Sequence, residues 1–333
     1  METRLGDAAQ RTLNAEPFVI LYVLRRLLQL VPVFLCASFL IFSIIHLLPG
    51  DPVQVMLGDE RYDESQYQLL RQKMGLDRPL YAQYFSWLQR LAHGDLGQSL
   101  RTQRAVLDTV VERYPATIYL ALASLILGTM IAIPAGTLAA VRQNTLWDYF
   151  AMSFALFGIA VPNFWFALLL ILGFGLYLGW FPTLGYVDPS VNFGMFLWYL
   201  TLPAIVLGTD MASTVTRYVR AEMLEQLKLD YVRTARAKGV ARRWVVYKHT
   251  LRNSLIAATT VIGLQVGRLL GGSTVVETIF AWPGVGRLVL EAVYARDYPL
   301  LQGAVLFLAC TYVVVNLFVD VLYKWLDPRI SLS

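Results

Sequence analysis

Residues 116–141 read ATIYLALASLILGTMIAIPAGTLAAV, a run without a single Asp, Glu, Lys or Arg. A bilayer's hydrocarbon core is about 30 Å thick and a helix rises about 1.5 Å per residue, so about twenty apolar residues cross it. This run is long enough to do so. The uncharged stretch reaches back to residue 114, and residues 149–187, 189–209 and 298–319 are uncharged as well. Across the 333 residues, 57% are hydrophobic and 15% are charged, against about 25% charged in a soluble domain. A soluble globular enzyme is excluded by that pattern. A transmembrane β-barrel would show alternating segments of about ten residues instead of solid runs. Disorder and a disulfide-stapled secreted fold fail on the same composition. The chain reads as an all-α polytopic membrane protein.

Six transmembrane helices are expected, at about Leu27–Leu48, Ala116–Val141, Tyr149–Leu178, Phe196–Thr216, Ser254–Ile279 and Leu301–Leu322. The first is too long for the apolar core of a signal peptide, no small-x-small cleavage site follows it, and Pro49-Gly50-Asp51-Pro52 stops it. The third needs a kink at Pro162 or a steep tilt; two short spans in its place would move the C-terminus to the other side. Residues 217–252 hold ten Lys or Arg and three Asp or Glu, whereas 179–195 hold no Lys or Arg. The positive-inside rule therefore puts 217–252 and both termini in the cytoplasm. It also accounts for much of the net charge of +5 without a nucleic-acid partner. The resulting plan is a cytoplasmic segment 1–26, a first span 27–48, an external segment 49–113 and a transmembrane core 114–330. In the external segment Leu70 and Met74, then Leu80, Tyr84, Leu88 and Leu91, recur at helical spacing and predict two short amphipathic helices. Such a segment caps the outer mouth or docks an outside partner.

Catalytic signatures are missing. There is no G-x-x-x-x-G-K-[ST], no His-Glu-x-x-His and no Cys-x-x-Cys. His46, His93 and His249 are far apart, so no metal site is expected, and Cys36 and Cys310 read as buried free thiols within apolar runs. No catalytic residues are assigned, and the chain is not expected to be an enzyme. Transport or scaffolding remains. Asp210, Arg268, Glu277 and Asp320 lie within or at the ends of spans four to six. Charges there face a bundle interior, a partner or water. Asp210, Arg268 and Glu277 are the pathway candidates, with interhelical contacts or helix-end anchors as the alternative. Counted from the helix ends, Asp210 and Arg268 differ by about 10 Å in depth on antiparallel spans, and no direct pair is expected.

The basic loop carries the most informative segment, Asp230-Tyr-Val-Arg-Thr-Ala-Arg-Ala-Lys-Gly239. It predicts a short helix with Asp230 as N-cap, Lys238 at the negative end and Gly239 at the left-handed C′ position. Leu224, Leu227, Tyr231 and Ala235 share a face, while Thr234, Ala235 and Ala237 allow close approach and Arg233, Arg236 and Lys238 project charge. Such a rod suits a groove on another protein. A basic helix lying on anionic lipid is the alternative, but its apolar face is small.

This segment resembles the cytoplasmic Glu-Ala-Ala loop of ATP-binding-cassette importer permeases. Aligned on Gly239, Arg233-Thr234-Ala235 takes the Glu-Ala-Ala positions and Leu251-Arg252 replaces the usual Leu-Pro. Both departures are the form of the dipeptide, oligopeptide and nickel subfamily, as is His249-Thr-Leu-Arg-Asn253. Arg25-Arg26-Leu27, His46-Leu-Leu-Pro-Gly-Asp-Pro52, Gly75-Leu-Asp-Arg-Pro-Leu80 and Gly94-Asp-Leu-Gly97 extend the likeness. So do Glu277, Trp282-Pro-Gly-Val-Gly-Arg287, Arg296-Asp-Tyr-Pro299, Asn316, Asp320, Tyr323 and Asp327-Pro-Arg329. The likeness covers roughly residues 20–330 and is closest to the first permease subunit of dipeptide, oligopeptide or glutathione importers. It leaves 1–17 unaccounted for.

The resemblance implies a type I importer permease fold in a bacterial inner membrane. It implies a second homologous permease, two ATPase subunits and an external peptide-binding protein as partners, with ATP and Mg bound by the ATPases and no cofactor in this chain. Residues 230–239 would be the coupling helix. A nickel or glutathione cargo is the alternative within the family. A secondary transporter, which would show an internal repeat and broken midplane helices, or a membrane scaffold is the alternative outside it.

Overall fold

The computed structural model describes residue 28, residues 31–43, residue 53, residues 64–73 and residues 75–326. The chain divides into two units, Met1–Gly94 and Asp95–Ser333. The expected first span is helical over α1, Val31–Ser43. Its ends lie outside the described residues, as do residues 1–26, the His46–Pro52 motif, Met74 and Asp327-Pro-Arg329.

In the first unit the two short helices predicted by apolar spacing are α2, Glu64–Lys73, and α3, Leu80–Ala92. Tyr84 of α3 meets Phe39 and Phe42 of α1 edge-on at 5.8 and 5.4 Å, and its hydroxyl lies 3.0 Å from Ser38 Oγ. Trp87, which the spacing argument passed over, is the residue α3 buries.

The second unit begins with α4, Val106–Val141. Next come α5, Leu146–Ala160, and α6, Asn163–Leu170, which a π-helical stretch Ile171–Tyr177 continues. Then follow α7, Phe193–Gln226, and α8, Asp230–Ala237. An elbow, Arg242–Trp244 and a π-helical Val245–Leu251, leads into α9, Arg252–Gly272. The unit closes with α10, Thr274–Ile279, α11, Val285–Tyr294, and α12, Tyr298–Leu326. Among the described residues, four helices are long and apolar enough to cross a membrane, and the α5–α6 pair makes a fifth if it counts as one span.

That pair bends by 106°. Pro162 has no N–H to continue the α5 ladder, and its φ of −61° with ψ of 136° starts α6 from extended backbone. So the third run is neither one continuous helix nor simply tilted. Its two ends still lie at opposite ends of the unit. Asp148 in the first turn of α5 binds Arg220 near the end of α7, while the loop after α6 reaches Trp282 through Tyr186, ring centroids 4.8 Å apart. Phe196, at the start of α7, stacks on that same Trp282 at 6.1 Å. Taken end to end, the pair therefore runs antiparallel to α7. The fifth run is also corrected: α9 ends at Gly271-Gly272 and α10 is a separate short helix, as the conformational cost of paired glycines allows.

Helices α4 and α7 run parallel and form the core. Ser124, Gly128, Ala132, Gly136 and Ala140 repeat every fourth residue of α4, and all are buried. A Cβ on Gly128 would sit 3.0 Å from the Gly208 carbonyl oxygen, and one on Gly136 would sit 2.8 Å from that of Thr216. Small residues let the backbones approach this closely, which is how helices associate where lipid offers no hydrophobic drive. Leu122, Ile126 and Met130 point outward on the opposite face of α4. Cys36 is exposed and Cys310 is half-buried, so neither is the fully buried thiol expected. In a membrane protein an apolar run need not be covered by protein.

Candidate functional site

Helix α8 stands beyond the end of α7, after the turn at residues 227–229. Leu229, extended at φ −71° and ψ 152°, is its N-cap, and Asp230 is its first residue. The expected Asp230 cap is therefore corrected by one position. Asp230 instead lies 3.4 Å from Arg233, an ion pair in the open. The other end is as expected: Lys238 is the C-cap and Gly239 takes φ +77°. Gly239 N–H donates to the Arg236 carbonyl at 3.0 Å and Val240 N–H to that of Ala235 at 3.2 Å. That is the full Schellman closure, in which a left-handed residue satisfies the last carbonyls.

The face of α8 turned toward the bundle is narrow. Val232 is fully buried and Tyr231 and Ala235 are half-buried. The Tyr231 hydroxyl donates to Gln226 Oε1 at 2.8 Å and lies 3.4 Å from the His249 carbonyl oxygen. Thus α8 is tied to both flanks of the basic loop. Arg233, Thr234, Arg236, Ala237 and Lys238 remain exposed. Val232 is the anchor that the spacing argument missed, because that argument followed Tyr231 and Ala235.

Asp210 of α7 and Arg268 of α9 are brought together. Arg268 Nη2 and Asp210 Oδ2 are 4.0 Å apart, and Arg268 Nη1 donates to Gln265 Oε1 at 3.2 Å. Counting residues along straight helices left a 10 Å offset that the observed packing closes. The Arg268 side chain is 63% exposed and that of Asp210 29%, so the pair is open and not sealed in the core.

Glu277 lies elsewhere, inside a cage. Its carboxylate accepts from Thr117 Oγ1 at 3.0 Å, Ser273 Oγ at 2.8 Å and Arg287 N–H at 2.9 Å. The Trp282-Pro-Gly-Val-Gly-Arg287 segment wraps it. Val285 N–H donates to Thr117 Oγ1 at 2.9 Å, and Trp282 Nε1, wholly buried, donates to the Ala116 carbonyl at 2.8 Å. A Cβ on Gly284 would lie 2.3 Å from the Glu277 carboxylate, so glycine is required there. Thr117 was not singled out from the sequence, because its partners are about 160 positions away.

Two further anchors join distant segments. Asp297 caps the start of α12, accepting from Leu300 N–H at 3.3 Å, and also takes Leu100 N–H at 3.1 Å and the Ser99 hydroxyl. This joins Arg296-Asp-Tyr-Pro299 to the loop after Gly94-Asp-Leu-Gly97. Asp148 accepts two bonds from Arg220 at 2.6 and 2.8 Å and one from Asn144 N–H at 3.0 Å, fixing the turn before α5.

Comparison with known proteins gives consistent matches. Residues 132–332 match the family described as binding-protein-dependent transport system inner membrane component, and residues 19–121 match its N-terminal companion. The dipeptide transport system permease protein DppB of Alkalihalophilus pseudofirmus is 42% identical, over 93% of this chain and 99% of its own. The di/tripeptide permease DppB of Pseudomonas aeruginosa is also 42% identical, with 93% and 98% covered. The glutathione permease GsiC of Escherichia coli is likewise 42% identical, with 93% and 98% covered. Among solved structures, the inward-facing MetNI methionine ABC transporter shares the fold, with a TM-score of 0.55 at 16% identity over 66% of this chain and 96% of that one.

Proposed function

Because the chain belongs to the binding-protein-dependent transport system inner membrane components, we propose that it is one of two homologous permease subunits of an ATP-driven importer of dipeptides and oligopeptides. The near full-length match to di- and tripeptide permeases at 42% identity carries this reading. Glutathione, a tripeptide-sized cargo, is the second reading, favoured by an equal identity to the glutathione permease. The complex would include two ATPase subunits and an external peptide-binding protein in a bacterial inner membrane.

In this reading the basic loop lies in the cytoplasm. Asp230, Tyr231, Arg233, Thr234, Ala235, Arg236, Ala237, Lys238 and Gly239 form the coupling element. The open charges of α8 meet the ATPase, while Val232 and Tyr231 transmit its movement to α7 and to the elbow before α9. ATP-driven closure would then shift the bundle between outward- and inward-open states as a rigid-body population change. Asp210 and Arg268 face the pathway or the partner permease, and Glu277 braces the segment that closes over Trp282.

The test is uptake of a labelled dipeptide and of labelled glutathione in a strain lacking its own peptide importers. The chain is expressed there with its neighbouring transport subunits. Dipeptide uptake that requires this chain and ATP supports the reading; ATP-dependent uptake of glutathione alone selects the second. Uptake of either driven by an ion gradient without ATP refutes both.

A further inference from the structure

At the end of α4 that adjoins the basic loop, a groove of about 640 Å³ opens between that helix and the elbow before α9. Its floor is apolar, built from Ile133, Leu138, Val246 and Leu251. Three arginines, Arg142, Arg242 and Arg243, also line it, and no acidic residue does. We propose that this groove holds one anionic glycerophospholipid, its phosphate between the three arginines and its acyl chains on the apolar floor.

Several independent observations point to that occupant. The uncharged run of α4 ends at Val141 and the first charge is Arg142, so the mouth sits at the apolar–polar boundary, where lipid headgroups lie. Arg242 donates to the Val141 carbonyl at 3.3 Å, which holds its guanidinium over the end of α4. Arg142 lies over the Trp147 ring at 5.5 Å and Arg243 over Trp244 at 5.8 Å. Trp147, Trp244 and Tyr247 are all largely exposed, as aromatic residues are at a membrane interface.

Three of the lining residues, Val246, Tyr247 and Leu251, belong to the π-helical stretch Val245–Leu251. Such wide turns are rare and gather at functional sites. Thr137, on the floor, is buried, and its hydroxyl has no hydrogen-bond partner among the described residues. A docked protein segment would be expected to bring acidic side chains to three arginines, whereas a phospholipid already resides at this height and matches both surfaces. Basic pockets between transmembrane helices bind anionic headgroups by this combination. The inference does not rest on the peptide-importer reading.

The test uses the full chain, purified in non-ionic detergent with whatever subunits accompany it, and phosphatidylglycerol against phosphatidylcholine as probes in native mass spectrometry. Phosphatidylglycerol should bind more tightly, by about fivefold per arginine and about a hundredfold for three. The Arg142→Gln, Arg242→Gln, Arg243→Gln triple variant should lose that preference. Equal binding of the two lipids by the native chain, or a triple variant that keeps the preference, overturns the proposal. A photoactivatable phosphatidylglycerol on the unaltered chain provides a readout independent of folding. Labels on residues 133–142 and 242–251 are expected. Labels confined elsewhere, displacement by millimolar inorganic phosphate, or a partner subunit seated in the groove would overturn it.

Discussion

Gly239 offers the sharpest test of the coupling element. It sits at φ +77°, and a Cβ placed there meets nothing within 4 Å. Replacing it therefore introduces no clash, and the whole penalty is conformational. For an L-residue forced left-handed that is about 1–2 kcal/mol, with branched valine near the upper end. The closed α8 terminus would then be disfavoured about 5- to 30-fold. An eight-residue helix has little intrinsic stability, so relaxing the turn loses the 3.0 and 3.2 Å closing bonds and frays Arg236–Lys238. Asparagine tolerates the left-handed region far better. Gly239→Val should therefore lower peptide uptake and peptide-stimulated ATP hydrolysis together by about that factor, while Gly239→Asn stays near the native rate. Both variants should insert normally, because the site lies outside the spans. If Gly239→Val and Gly239→Asn transport equally, at native rate and with the ATPase subunits still bound, α8 is not the coupling element.

Three other outcomes are expected. Glu277→Ala leaves two buried hydroxyls and the half-buried Arg287 N–H without their acceptor, at about 1–3 kcal/mol for each buried donor; the unfolding midpoint in detergent should drop sharply and recover in part with Glu277→Gln. A Cβ on Gly158 falls within 1.9 Å of Ser213 Oγ, so Gly158→Ala should cost about 1–3 kcal/mol. Adding Ser213→Ala should restore part of that loss in a double-mutant cycle. Finally, Asp188→Cys should react with an impermeant maleimide only in intact cells and Arg242→Cys only in inverted vesicles; labelling of both from one side would refute the proposed orientation.

The class of this protein was legible in the sequence because the signal is local. A run such as 116–141 must be a membrane helix whatever surrounds it, since lipid leaves no other way to satisfy its backbone. The Gly239 terminus was equally legible, because a Schellman closure is decided within six residues. The loop charge asymmetry is likewise read without contacts. At Pro162 the sequence called for a kink or a steep tilt without choosing between them, and it held no sign of a 106° bend: proline removes one hydrogen bond, and neighbouring helices set how far the chain turns. The period-four small residues of α4 were present in the sequence, yet only packing shows that Gly128 and Gly136 meet α7. Tertiary structure alone brought Asp210 within 4.0 Å of Arg268, because helix rotation and tilt do not follow from residue counts. It alone also joined Thr117 to Glu277 and Ser99 to Asp297. Those bonds span 160 and 198 positions, and no local pattern encodes which distant hydroxyl will satisfy a buried carboxylate.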